Sequence, residues 1–368
     1  MRLNGRPLVT RVFALLVGLC VCLPASAEPA AKSGARKAST AKSVTSARRA
    51  APRAAAKPAY SASASRARKA RLARARAAAR TREHRRMQAF RSLQEAMTPR
   101  YKMDANGDRV PDIRAAAAIV FSPATGEVLW QENAQDKRPI ASITKVMTAV
   151  VFLEDNPNLE QVVTVERGDV YAASTTYLKA NDRVKISDVL HLTLIASDNA
   201  AARVLARVSH GGTASFIERM NEKALELGLE ATTFADSSGL NPANISSAYD
   251  LSRLISFAAA DERIAPIMRT ANYSFRTDRR TINIHSTNRL VMGGEVDVLG
   301  GKTGFISKAG YCLATLLRLP TGNQVAVVVL GARSNPGRFW ETRHLVTWMS
   351  GKTAALFAKD SDKDEQLQ

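Results

Sequence analysis

From about residue 109 onward, apolar positions recur along the chain with two different periods. Short apolar runs between turn residues predict strands, and apolar positions three or four residues apart predict helices. The strands fall into two groups, one at the start of this region and one near its end. We place them at residues 115–121, 127–131, 298–305, 311–319 and 325–333.

The stretch between the two strand groups is predicted to be mostly helical, apart from a polar insertion at residues 162–181. Because strands flank helices in sequence, we expect one sheet covered by helices, with a helical subdomain inserted between its strands. We classify the fold broadly as α/β; its strands and helices are segregated in sequence, as in α+β proteins. The predicted helices lie at residues 142–153, 186–196, 214–227, 248–259 and 337–358, and another ends near residue 206.

The first hundred residues differ sharply in charge from the rest of the chain. They hold 23 of the 53 Lys and Arg residues but only 3 of the 33 Asp and Glu residues. The net charge of +20 therefore belongs to this segment, and residues 101–368 are neutral overall. Since the predicted folded region carries no excess positive charge, we do not expect nucleic acid as its partner.

Residues 1–27 have the parts of a secretory signal peptide. Three arginines precede an apolar run at residues 12–23, and Ala25-Ser26-Ala27 offers a small-x-small cleavage site. The apolar run is too short to cross a bilayer comfortably. We therefore predict a secreted chain, in which Cys312 is the only cysteine left after cleavage.

Residues 28–108 form a basic segment rich in Ala, Arg and Lys. With few large apolar side chains it cannot form a core, so we expect it to be disordered to about residue 80. An apolar stripe predicts a short helix near residues 80–97 that docks on the domain or on a partner. The segment is either an electrostatic attachment to anionic envelope polymers or a solvated tether. The stripe consists of Met87, Phe90, Leu93 and Met97.

The candidate chemistry begins at Ser142-Ile143-Thr144-Lys145, at the start of a predicted helix. Residues three apart lie on the same face of a helix, so the hydroxyl and the amine would be neighbours. The amine can take the hydroxyl proton only when it is neutral, which burial and nearby cations favour by lowering its pKa. The pair alone is a weak signal, because Ser39-Thr40-Ala41-Lys42 has the same spacing.

Two later motifs make the pair specific. Ser197-Asp198-Asn199 follows a predicted helix, and Lys302-Thr303-Gly304 lies in a predicted strand. The order Ser-x-x-Lys, Ser-x-Asn, Lys-Thr-Gly is typical of penicillin-binding proteins and class A β-lactamases. Ser286-Thr287-Asn288 and Lys352-Thr353-Ala354 imitate two of these motifs, but they lack the order and the predicted context.

With these motifs the chain resembles the low-molecular-mass penicillin-binding proteins of the D-alanyl-D-alanine peptidase family, and it is nearest to the endopeptidase branch. The resemblance covers about residues 110–355. It implies a penicillin-binding transpeptidase or β-lactamase-like fold, a periplasmic location, peptidoglycan stem peptides as substrate and β-lactams as covalent inhibitors. We expect no metal or cofactor, because the five histidines show no ligand spacing. The resemblance is carried by residues 140–149, 196–201, 236–240, 285–288 and 300–310.

The resemblance also implies catalytic roles. Ser142 would attack the carbonyl of the penultimate D-Ala, and Lys145 would take its proton. Ser197 and Lys302 would pass that proton to the leaving amine.

The remaining site residues would bind the substrate. Asn199 would hold the substrate backbone, and Lys302, Thr303 and Gly304 would supply charge, a hydroxyl and close backbone approach, meeting the terminal carboxylate in a carboxypeptidase. The backbone N–H groups of Ser142 and Phe305 would form the oxyanion hole.

Four activities stay open at this point. An endopeptidase would cleave D-Ala cross-links, and a carboxypeptidase would trim pentapeptides. A β-lactamase needs a general base for deacylation, and the loop at residues 234–247 offers Asp236 but no Glu. An inactive wall-binding module is the fourth. We favour the endopeptidase, because the predicted catalytic domain at 109–358 is followed only by an acidic tail at 359–368.

Overall fold

The computed structural model describes residues 62–365. The predicted signal peptide, residues 28–61 and the last three residues lie outside this range. The chain divides into one unit that ends at Ala67 and a second from Arg68 to the C-terminus. Every element below, apart from the first residues of α1, belongs to the second unit.

The helices of the described range are numbered in chain order. They are α1 Ala62–Met97, α2 Thr144–Glu154, α3 Arg167–Val170, α4 Ile186–Leu194, α5 Asn199–Val208, α6 Gly212–Glu226, α7 Ala248–Ala260, α8 Ala265–Met268, α9 Arg289–Gly293 and α10 Asn335–Glu365. A 3-10 helix at Ala141–Ile143 leads into α2.

The strands are numbered in the same way. They are β1 Tyr101–Met103, β2 Arg109–Pro111, β3 Ala117–Ser122, β4 Glu127–Glu132, β5 Arg138–Pro139, β6 Val162–Thr164, β7 Arg183–Lys185, β8 Ile245–Ser246, β9 Asn272–Arg276, β10 Thr281–His285, β11 Asp297–Ile306, β12 Gly310–Arg318 and β13 Gln324–Ala332.

A five-stranded antiparallel sheet forms the centre of the fold, with strand order β11-β12-β13-β3-β4. The pairing of β13 with β3 joins the first strand group to the last, as the sequence pattern requires. Both sheet faces are covered, so the middle strands are apolar along their whole length. The helix α7 packs on one face and α10 on the other. The strand β11 is left as an edge beside the helical subdomain.

The helix α2 lies at the centre of that subdomain. Residues 144–153 are all buried, and α2 contacts α4, α5, α6 and α7. A helix that is apolar on every side is stable only when it is enclosed, so the neighbouring helices supply its stability. Lys145 therefore belongs to an enclosed helix, and Ser142 lies immediately before that helix.

The predicted strands and helices of the domain are observed, with ends that differ by a few residues. The hairpin of β9 and β10 was not predicted, although Tyr273, Phe275, Ile282 and Ile284 alternate with polar residues. The last helix continues to Glu365, into the segment expected to be an acidic tail.

The helix α1 differs most from expectation. It begins at Ala62, within the stretch expected to be disordered, because Ala and Arg are strong helix formers and 36 residues suffice to propagate a helix. Its apolar stripe does not dock on the domain: Phe90 is 52% exposed and Met87 is 50% exposed. Among the described residues, we find no helix that is both long and apolar enough to span a membrane.

Candidate active site

The nucleophile candidate Ser142 lies in the 3-10 helix immediately before α2. Ala141 before it has φ of 50°, an uncommon value for a residue with a side chain. Two glycines permit this tight entry. A Cβ at Gly239 would overlap the Ala141 carbonyl, and a Cβ at Gly304 would lie 2.7 Å from the Ile140 oxygen. Three chain segments therefore meet at Ser142.

The amine of Lys145 is fully buried and contacts three oxygens. Its Nζ lies 2.9 Å from Ser142 Oγ, 2.6 Å from Asn199 Oδ1 and 2.5 Å from the Ser238 carbonyl. The last two oxygens can only accept, so they take two N–H groups. A neutral amine has just two such donors and one lone pair. The lone pair would then point at the Ser142 hydroxyl, as a general base requires.

The protonation of Lys145 agrees with this geometry. Burial away from water lowers the pKa of Lys145 to about 7, against the attraction of the Asp198 and Asp236 carboxylates. A large fraction of this amine is therefore neutral near pH 7, unlike an exposed lysine.

The motif Ser197-Asp198-Asn199 connects α4 to α5. Asp198 caps α5 by accepting the Ala201 N–H at 2.9 Å, so its side chain has a structural role. Its two neighbours instead face the site. Ser197 has φ of 60°, a strained value for serine, and Asn199 bridges Lys145 to the Ala173 carbonyl, 2.8 Å from its Nδ2.

The edge strand β11 supplies Lys302, whose Nζ lies 2.7 Å from Ser197 Oγ and 2.8 Å from the Thr303 carbonyl. Burial lowers the pKa of Lys302 well below its usual value, and the charges of Lys145 and Arg338 lower it further. The two buried lysines therefore disfavour each other's protonation. An anionic group bound beside Lys302 would raise that pKa and restore its charge.

Six of the eight sequence-predicted residues line one cavity of about 250 Å³, whereas Lys145 and Lys302 are buried and do not line it. The lining includes Ser142, Ser197, Asn199, Thr303, Gly304 and Phe305. The backbone nitrogens of Ser142 and Phe305 belong to two segments that approach closely at Gly304, where a Cβ would lie 3.2 Å from Ser142 N. A larger cavity of about 630 Å³ between α7, α8 and the β12–β13 turn contains none of the motif residues.

Three contributors were not singled out from the sequence. The Ser238 carbonyl orients Lys145, and Thr287 accepts the Thr303 hydroxyl at 2.7 Å. Arg338 of α10 is buried, lines the cavity and donates to the Gly304 carbonyl at 3.0 Å. Ser238 and Thr287 lie within residues 236–240 and 285–288, two of the stretches that carry the family resemblance. Arg338 has no sequence signal beyond being an arginine near the start of a predicted helix.

Asp236 does not occupy the position of a free catalytic base. Its Oδ1 accepts the N–H groups of Ser238 at 2.7 Å and Gly239 at 2.5 Å, and its Oδ2 accepts the Asn241 N–H at 2.6 Å. The carboxylate thus holds the loop that presents the Ser238 carbonyl. This argues against the deacylation chemistry that a β-lactamase requires.

Comparison with known proteins agrees with the fold and the site. Residues 104–334 match the D-alanyl-D-alanine carboxypeptidase family. The D-alanyl-D-alanine endopeptidase of Escherichia coli (strain K12) is 32% identical over 267 residues, which cover 70% of this chain and 86% of that protein. The endopeptidase of Haemophilus influenzae is 36% identical over 201 residues, covering 54% of this chain and 69% of that protein.

The solved structures give the same result. The crystal structure of the Streptomyces K15 DD-transpeptidase superposes with a TM-score of 0.61 at 30% identity, covering 65% of this chain and 97% of the other. The predicted penicillin-binding fold is thereby confirmed. Since the family match spans more than half of the sequence, the chain belongs to the D-alanyl-D-alanine carboxypeptidase family and is a serine-type D-Ala-D-Ala peptidase.

Proposed function

We propose that the protein is a secreted peptidoglycan endopeptidase that cleaves D-Ala cross-links through an acyl-enzyme on Ser142. The observation that carries this proposal is the contact set of Lys145, whose two N–H donors are occupied and whose third contact is the nucleophile. Few structural roles require a buried amine held in this way. A purely wall-binding module would have no need of it.

Acylation follows from the positions of four side chains. As Ser142 Oγ bonds to the D-Ala carbonyl carbon, its proton moves to Lys145 Nζ. The oxyanion then lies against the N–H groups of Ser142 and Phe305. Ser197, with Lys302 at 2.7 Å behind it, donates a proton to the departing amine as the C–N bond breaks. Lys145 then returns its proton to this relay.

Hydrolysis of the ester reverses these roles. Lys145 is neutral again and takes a proton from the water that attacks the acyl carbon, and the Ser142 hydroxyl is released. Asp236 accepts N–H groups of its own loop and is not available as the base. We therefore assign the deacylation base to Lys145.

Substrate binding falls to the other side of the cavity. Asn199 holds the peptide backbone, and Thr303, supported by Thr287, offers a hydroxyl to an anionic group. Gly304 lets the substrate lie close to β11. Lys302 and Arg338 lie beside this position. An anionic group bound there would favour the charged form of Lys302 and would be attracted by both residues.

One observation favours the endopeptidase over the carboxypeptidase. The similar proteins from Escherichia coli and Haemophilus influenzae, 32% and 36% identical to this chain, are named endopeptidases.

The product pattern tests this proposal. Purified protein incubated with cross-linked dimeric muropeptides should release monomers, and it should trim monomeric pentapeptide several times more slowly. The two products are separated by chromatography and identified by mass. Release of free D-Ala with dimers left intact would reassign the enzyme as a carboxypeptidase while leaving Ser142 as the proposed nucleophile.

We also propose that residues 1–27 direct secretion to the periplasm and that the basic segment attaches the enzyme to anionic envelope polymers. The described part of this segment, α1, carries eleven Lys and Arg residues against two Glu, a net charge of +9. These cations surround the helix and are exposed, and none forms an ion pair within residues 62–365. A helix of this kind suits a polyanion that contacts it from any side.

The arm prediction uses six arginines of α1. Replacing them by Gln should lower sedimentation with sacculi at low salt, because six positive charges are removed. Attraction between exposed charges is screened beyond about 10 Å at 0.1 M salt, so the difference should vanish at high salt. Turnover of a small soluble substrate should not change. Replacement by Lys, which keeps the charge, is the control. Equal sedimentation of the Gln variant at low salt would leave the segment as a tether. The six are Arg71, Arg74, Arg76, Arg80, Arg82 and Arg85.

A further inference from the structure

One wall of the catalytic cavity is formed by the loop that follows α3, residues 171–177, which we call the wall loop. Ser174 and Thr175 of this loop line the cavity. Ala172 has φ of 48° and Ser174 has φ of 62°, in the left-handed region that residues with a side chain rarely adopt. Such conformations persist only where surrounding contacts impose them. The shape of the wall loop therefore depends on the contacts that hold it.

The middle of the wall loop is held by Asn199, at the start of α5. The Thr175 carbonyl accepts the Asn199 backbone N–H at 3.1 Å, and the Ala173 carbonyl accepts Asn199 Nδ2 at 2.8 Å. Because Nδ2 is bound to the wall loop, Asn199 Oδ1 is directed at Lys145 Nζ, 2.6 Å away. The position of the Ala173 carbonyl thus determines how the amide presents its oxygen to the catalytic amine.

The beginning of the wall loop is held by Arg203, which lies one turn after Asn199 on the same face of α5. Arg203 is half-buried, and its Nη1 donates to the Tyr171 carbonyl at 2.6 Å and to the Asp169 carbonyl at 3.2 Å. The Asp169 carboxylate pairs with Arg207 instead, at 2.9 Å. Both of these contacts of Arg203 therefore serve to fix backbone.

The charge of Arg203 also acts on the catalytic amine. Burial lowers the pKa of Lys145 to about 7, and the carboxylates of Asp198 and Asp236 oppose this effect. The charge of Arg203 acts in the same direction as burial, because a nearby cation disfavours a second positive charge. Lys302 on β11 is the other amine beside Lys145, and burial lowers its own pKa well below the usual value.

We propose that Arg203 is a positioning residue for the catalytic base: it fixes the wall loop, and through the wall loop it fixes the Asn199 amide that holds Lys145 against Ser142. Arg203 does not line the catalytic cavity, so it acts through these neighbours and not on the substrate. This inference rests on the proposed acylation of Ser142, and it adds a residue that lies outside the three motifs.

Acylation by a neutral β-lactam ester, measured across pH, tests this role. Arg203→Met removes the charge and both donors. It should lower the second-order rate constant about tenfold at pH 7, because the base is misplaced. It should also move the midpoint of the pH profile upward by about half a unit, since loss of the cation raises the pKa of Lys145 and the amine becomes neutral only at higher pH. Arg203→Lys keeps the charge and an amine that can donate to both carbonyls, so it should keep the midpoint and most of the rate.

The matched control is Arg253→Met in α7. Arg253 is also half-buried and also donates to two loop carbonyls, those of Leu227 and Gly228, each at 2.7 Å. It does not line the catalytic cavity. This variant should lower the melting temperature to a similar extent, while the rate and the midpoint of acylation stay those of the unmodified protein.

The outcomes separate the positioning role from the proposed function. An unchanged midpoint in Arg203→Met would reject the role whatever the rate, because a variant that only loosens the fold does not move the midpoint, and the proposed function would stand. An equal upward shift in Arg253→Met would reject it as well. If the unmodified protein is not acylated on Ser142, the proposed function fails and the positioning role fails with it.

Discussion

Ser142→Ala should abolish acylation by a fluorescent penicillin and lower peptidase turnover by about 10⁴-fold or more, since no acyl-enzyme can form. The change removes one oxygen, whose single side-chain contact is the Lys145 amine at 2.9 Å. Folding should therefore be preserved. Labelling is read on a denaturing gel, and turnover is measured on dimeric muropeptides.

The control for this variant is Ser286→Ala. Ser286 begins the imitation of the Ser-x-Asn motif, and its hydroxyl accepts the Asn288 N–H at 3.2 Å outside the catalytic contacts. That variant should label like the unmodified protein. Labelling of Ser142→Ala at a different serine, located by peptide mass mapping, would contradict the assignment of the nucleophile.

The central sheet and the enclosing helices could be predicted because their signals are local. The strands β12 and β13 are continuous apolar runs, and α2 is apolar on every side. Burial of these elements can therefore be predicted from consecutive residues alone. The Ser142–Lys145 pair is equally local, since helical spacing alone makes the two residues neighbours. Ser197 and Lys302 could be added because the order of their motifs is distinctive.

Other parts of the site depend on contacts between distant segments, which a single sequence does not display. Ser238 acts through a backbone carbonyl, and any residue type could supply one at that position. Arg338 reaches Gly304 across 34 residues of chain, from a helix that packs on the other sheet face. The helix α1 was predicted only in part, near residues 80–97: the composition before residue 80 indicates the lack of a core, and disorder was inferred there although Ala and Arg favour a helix.

The two buried lysines divide the chemistry between them. Burial lowers the pKa of both amines, and the charge of Lys145 lowers the pKa of Lys302 further. Lys145 contacts the nucleophile Ser142, whereas Lys302 contacts Ser197, so each amine serves a different hydroxyl.

Lys145 variants should test that base directly. Lys145→Met keeps most of the side-chain length, and Lys145→Arg keeps a positive charge that is not lost at working pH. Both should slow penicillin acylation by about 10³-fold or more, because neither can accept the Ser142 proton. Melting temperatures must accompany the rates, since both variants alter the hydrogen bonds to Asn199 and Ser238. Acylation within tenfold of normal in Lys145→Arg would show that charge, not basicity, is required.

The pH dependence of the unmodified protein supplies the second half of this test. With a pKa of about 7, Lys145 is mostly protonated below pH 7 and cannot act as a base. The second-order rate constant of acylation should therefore fall about tenfold for each pH unit below 7 and level off above it. A neutral β-lactam ester should be used, so that titration of the inhibitor does not contribute. A profile that is flat between pH 5 and 8 would exclude Lys145 as the titrating base.

A double variant tests whether the two residues act together. If Ser142→Ala, Lys145→Met is no slower than either single variant, the two residues act as one unit.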